Sequence, residues 1–104
     1  MIIDLQKEAQ FSDERYTSQL LQETDEMRVV LFGLRAGQEV PPHTSECQVH
    51  MYCVSGQGSI SVGDQETEAR AGTLAFCPPH EMHGFTAQED MSVLVLITPS
   101  PAAL

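Results

Sequence analysis

His43, His50, His80 and His83 are the residues of this chain best suited to chemistry. A neutral imidazole nitrogen binds Zn, Fe, Mn, Ni or Cu, and the ring titrates near neutrality, so a convergent set points to a metal centre or to proton transfer. In a β barrel such a set is assembled from strands distant in sequence, and single histidines count without a local pair. His43 follows Pro41-Pro42 and stands two residues before Ser45. His50 lies inside the apolar segment 48–54, and His80 and His83 share the stretch PPHEMHG. His80 reads as a turn residue, because histidine tolerates positive φ better than bulky apolar residues do.

Other reactive groups carry weaker signals. Cys47, Cys53 and Cys77 form an odd set with no C-x-x-C pair, which excludes a disulfide framework and a zinc knuckle and reads as free thiols in a reducing compartment. The sharper alternative is a thiol beside a metal. Glu46, Glu81 and the acidic runs near residues 13 and 25 read as solvated. Gly56-Gln57-Gly58 suits a turn between strands, not a phosphate-binding loop, and no Ser-His-Asp order stands out.

The elements that must position these groups are short and β-rich. Segments 28–35, 48–54, 58–62, 65–71, 73–77, 83–87 and 91–98 are separated by Gly, Pro or acidic turns, a spacing that predicts an all-β sandwich or barrel. Gly63-Asp64 between two such segments predicts a tight hairpin, with 65–71 as an exposed edge strand guarded by Glu66, Glu68 and Arg70. Residues 16–24 are expected to form an outer strand, 1–12 an arm with a short helical turn near 4–10, and 99–104 a loose tail. The segment MSVLVLIT is apolar on both faces, which implies burial between two layers or at a subunit contact. A length of 104 residues supports one domain, with its barrel core over about 28–98.

From Gly37 to Ala87 the chain resembles the cupin family. Its first motif runs Gly, five residues, His-x-His, a gap of three or four residues, Glu, six residues and Gly. Gly37 to His43 matches the start and Gly56 the end. Its second motif runs Gly, five residues, Pro, one residue, Gly, two residues, His, three residues and Asn. Gly72, Pro78 and His83 hold that register. Ser45 stands at the second histidine, Val49 at the glutamate, His80 at the glycine and Ala87 at the asparagine. The resemblance implies a cupin-type double-stranded β-helix, or jelly-roll barrel, with a divalent transition metal (Fe, Mn, Ni or Zn) and a small oxygen-rich substrate.

Of the family's four ligands, His43 and His83 remain, and two imidazoles need a third partner to hold a catalytic ion. His50 is the chemical candidate, although strand alternation puts it on the face opposite Val49, Met51 and Cys53. A one-residue bulge between Ser45 and Val49 would reverse that, and would serve Gln48 equally, whereas Cys53 belongs to the other register. Two functions stay open. One is a metalloenzyme of the dioxygenase, isomerase or lyase kind, with His43, His83 and His50 as ligands; the other is a non-catalytic cupin that binds a small ligand, or an accessory protein without metal.

The formal net charge of -10, with only five scattered Lys and Arg, excludes nucleic acid as a favoured partner. The longest apolar run is too short to cross a bilayer and the N-terminus lacks a cationic leader, so no membrane partner and a cytoplasmic location are expected. Cupins commonly pair, and the two-sided apolar segment 91–98 independently predicts a homodimer.

Overall fold

The computed structural model describes residues 1–104. A short helix α1 (Leu5–Glu8) precedes nine strands: β1 (Thr17–Glu23), β2 (Arg28–Leu34), β3 (Glu39–His43), β4 (Gln48–Ser55), β5 (Gln57–Val62), β6 (Gln65–Arg70), β7 (Leu74–Cys77), β8 (His83–Ala87) and β9 (Met91–Thr98). They form a five-stranded sheet ordered β1-β2-β9-β4-β7 and a four-stranded sheet ordered β3-β8-β5-β6, antiparallel throughout. This is the expected all-β jelly roll, closed around one apolar core.

Alternation along the strands explains the core. Val49, Met51 and Cys53 of β4 and Val93 and Val95 of β9 face Ile60, Phe85 and Ala87 of the opposite sheet, and all are buried. Phe32 and Phe85 meet edge to face across the two sheets, with centroids 5.4 Å apart. The doubly apolar strand β9 sits between β2 and β4 in the middle of its sheet, the position that buries a strand most completely. The β5–β6 hairpin turns through Gly63 at φ 57°, and β6 is an edge strand.

Strand β3 was not among the expected strands, because Pro41 and Pro42 remove two ladder donors and suppress the β signal. It survives as the edge of the four-stranded sheet, where its unpaired side needs no donors. The tail also differs from the loose end expected. The Ser100 backbone N–H donates to the Asp25 carbonyl, its hydroxyl donates to Glu23, and Ser100 is fully buried before a 3-10 turn at Pro101–Ala103. Two prolines weaken a strand but leave room for a side-chain anchor of this kind, which composition does not reveal.

The N-terminal arm lies on the outer side of the five-stranded sheet. The Thr17 hydroxyl donates to the Gln10 carbonyl at 2.6 Å, and that carbonyl passes over Gly33, leaving no room for a Cβ. No helix is long and apolar enough to cross a membrane.

Candidate functional site

His43 and His83 face one another because of an irregularity in β3. Val40 pairs with Phe85 and His43 pairs with His83, so three steps along β3 match two along β8. The extra residue is a β-bulge at Pro41-Pro42. Without it, alternation would put His43 on the face opposite the buried Val40; the bulge inverts the parity and turns both toward the interior. The bulged backbone lies against Gly84, where a Cβ would come within 2.6 Å of the Val40 carbonyl oxygen. Glycine at 84 is therefore part of the device that aims His43.

As a cross-strand pair the two rings stack obliquely, with centroids 4.4 Å apart and planes inclined by 55°. Each ring is also oriented from behind. His43 Nδ1 is 2.9 Å from the Pro41 carbonyl and His83 Nδ1 is 3.2 Å from the Glu81 carbonyl. A carbonyl only accepts, so both Nδ1 atoms carry the proton and donate it, leaving each Nε2 as a bare acceptor. The Cys77 thiol packs 3.4 Å from His83 Nδ1 and lies within reach of the Pro78 and Glu81 carbonyls.

The electrostatics follow burial. His83 is 4% exposed, and loss of hydration pushes its pKa below the ordinary histidine value. Donation to the Glu81 carbonyl opposes that shift, while charge on His43 adds to it. His83 is thus a neutral imidazole at pH 7. Burial raises the Cys77 thiol, helped by the charge of Glu81, so Cys77 is a protonated thiol and not a thiolate. His43, by contrast, lies at the exposed mouth.

The pair closes one end of a cavity of about 250 Å³. Its wall is apolar, formed by Val40, Val49, Met51, Phe85, Val95 and Ile97 with Phe32 beside them, and Thr44 and Ser45 bring hydroxyls to its rim. Ser45 ties the rim together: its hydroxyl accepts from the Cys47 N–H at 3.0 Å, and its carbonyl accepts from the His80 N–H at 2.7 Å. His80 adopts φ 72°, the turn conformation expected of it.

The third expected site residue is elsewhere. His50 lies on the outward face of β4, stacked on Phe76 at 5.0 Å between centroids, because β4 runs regularly from Gln48 to Cys53 and has no bulge before it. Gln48 shares that outward face, and Cys53 is buried in the core beyond the cavity lining. The structure brings together two of the three proposed ligands.

A separation of this size would let two imidazoles share one ion or one ligand atom. The donor set for an ion is nevertheless short. Val49 contributes an isopropyl group, Ser45 spends its hydroxyl on the rim, and no three His, Cys, Asp or Glu side chains of the chain converge as a metal group. A catalytic divalent ion normally takes three protein ligands, so the residues present do not fit such a centre. The bulge that orients His43 was hidden from sequence reasoning; the Pro-Pro pair, together with Gly84 on the strand that pairs with it, was its only trace.

Residues 30–98 match the family model described as the cupin domain. The chain belongs to the cupin family. Among relatives, an uncharacterised protein of Streptomyces coelicolor is 33% identical over 99 residues, covering 92% of this cupin and 90% of that protein. An L-ectoine synthase of Hahella chejuensis is 34% identical over 68 residues, covering 64% of this chain and 52% of its own length. An RmlC-like cupin from Desulfovibrio desulfuricans superposes with a TM-score of 0.88 at 31% identity, covering 95% and 96% of the two chains. Fold and family are therefore set on sequence and on structure alike.

Proposed function

We propose that this cupin binds a small neutral molecule without a metal, taking an apolar body into the cavity and a hydroxyl onto the imidazole pair. One observation carries the reading: both Nδ1 protons are committed to backbone carbonyls, so two bare Nε2 acceptors serve a cavity otherwise walled by hydrocarbon. A neutral acceptor of this kind is satisfied by an O–H donor such as a phenol, enol or alcohol. A carboxylate would lose its hydration in the apolar wall and would approach against a net charge of -10. The cavity volume favours a single-ring or short-chain molecule over a nucleotide.

The test is calorimetric titration of the untagged protein with small phenols and with the matching benzoates, combined with elemental analysis for Fe, Mn, Ni and Zn. Phenols are expected to bind in preference to benzoates, with affinity falling about tenfold in His83→Ala, the loss of one buried hydrogen bond. A stoichiometric metal that disappears in both His43→Ala and His83→Ala would overturn the reading.

Similarity to the L-ectoine synthase favours a second reading, in which the same cavity turns over a small metabolite. Neutral His83 would take a proton at Nε2, and His43 at the mouth would exchange it with water. Turnover that follows the titration of His83 separates this reading from simple binding.

A further inference from the structure

Strand β3 pairs only with β8, and its free edge leaves an open seam between the two sheets. A groove of about 370 Å³ lies at that seam, lined by Tyr16, Phe32, Pro41 and Pro42 among others. Phe32, Val40 and His43 line both this groove and the cavity, so the two meet at a common wall that includes one ring of the imidazole pair. Aromatic contacts lead outward along it. Phe85 meets Phe32 at 5.4 Å, Phe32 meets Tyr16 at 5.8 Å, and the Arg15 guanidinium caps the Tyr16 ring at 4.9 Å. A flat guest placed along such a series finds ring faces and edges to pack on from the cavity to the surface.

Arg15 is the one cation of the chain without a carboxylate partner. Lys7 is paired with Asp4, Arg28 with Glu23, Arg35 with Asp13 and Asp90, and Arg70 with Glu68, whereas Arg15 takes no salt bridge although the chain carries 15 Asp and Glu. With Tyr16, Gln38, Glu39 and Pro41 it lines the outer end of the seam. We propose that the ligand of the cavity extends through this seam, laying a second ring on Tyr16 and Pro41 and ending in a neutral acceptor oxygen at the Arg15 guanidinium. The inference rests on the proposed seating of a hydroxyl at His43 and His83, and it names the ligand class as a rigid two-ring phenol with a distal ketone, ester or amide. Distance sets the size. Glu39 and Pro41, beside Arg15, stand four and two residues before His43, or roughly 7–14 Å away at ~3.4 Å per residue. A single ring falls short of most of that span, and two rings fill it. Charge decides the end group: Glu39 lines the same stretch and the net charge is -10, so a carboxylate is repelled where a neutral carbonyl still accepts a charge-assisted hydrogen bond.

Calorimetric titration of the full chain tests this with four probes: phenol, 4-phenylphenol, 4-acetyl-4'-hydroxybiphenyl and 4'-hydroxybiphenyl-4-carboxylate. The acetyl probe is expected to bind about a hundredfold more tightly than phenol, with the other two between them. Arg15→Gln should reduce the acetyl probe to the affinity of 4-phenylphenol, and Tyr16→Ala should weaken both about tenfold, while the affinity for phenol stays within about twofold in each. Leu74→Ser, in the groove at the opposite seam between β6 and β7, should change none of these affinities. Should Tyr16→Ala fail to fold, nuclear Overhauser contacts between the wild-type Tyr16 ring and the acetyl-bearing ring decide instead, and their absence overturns the proposal. A wild type that binds phenol but gains nothing from the second ring overturns this proposal alone; one that binds no probe overturns it together with the seating of a hydroxyl at the imidazole pair. Retention of the acetyl probe's full gain in Arg15→Gln, a carboxylate bound more tightly than the ketone, or loss of the gain in Leu74→Ser overturns it too.

Discussion

His83 shows how one buried ring can set both the chemistry and the acid stability of this protein. Burial holds its folded pKa below the unfolded value near 6.5. The unfolded chain therefore takes up the proton first, and stability present above about pH 6.5 is lost as pH falls toward the folded pKa. Thermal melts between pH 8 and pH 5 should show a fall in Tm that is absent in His83→Gln. A later loss, through the carboxylate range, is expected from Glu23 and Asp90, whose pKa values are lowered chiefly by hydrogen bonds from Arg28 and Arg35 respectively. Val49 offers a second residue-scale test. The double variant Ser45→His, Val49→Glu restores the donors that the family pattern carries at these positions. It should be less stable than wild type without metal, since a carboxylate then sits in an apolar wall, and should regain stability with one equivalent of Zn. Melting with and without zinc checks both signs.

Among the elements, the bulge in β3 decides where His43 points. Deleting Pro42 leaves two steps along β3 against two along β8, so His43 stays opposite His83 and ligand binding should survive; deleting both Pro41 and Pro42 puts His43 one step from Val40, on the outer face, so binding should vanish while the far-UV spectrum of the β fold persists. Gly84→Ala attacks the same device from the opposite strand. Its methyl would meet backbone atoms of Val40 and Pro42 within 3 Å, which cannot yield as a flexible side chain would. A loss of about 1–3 kcal/mol in denaturant unfolding is expected, together with weaker ligand binding. The hairpin at Gly63 and the edge position of β6 could be read directly from residue types. The bulge could not, because its position depends on which strand lies opposite β3.

On the scale of the whole molecule, 15 acidic residues against 5 basic ones oppose compaction. Raising ionic strength from about 10 to 150 mM should raise Tm, since screening relieves repulsion within the chain. The jelly roll itself tolerates this charge because the carboxylates lie on strand edges, turns and the arm, while the core between the sheets contains none.

Local patterning was enough to announce the fold: alternation, Gly and Pro punctuation, and the spacing of Gly37, His43, Gly56, Gly72, Pro78 and His83 all act over a few residues and survive in the linear chain. His43 and His83 could be nominated from that spacing. That they meet, that His50 turns away, that Ser45 closes the rim and that Ser100 anchors the tail are consequences of strand pairing. Each depends on the register between segments far apart in sequence, and one inserted residue in one strand is enough to change which face a side chain occupies.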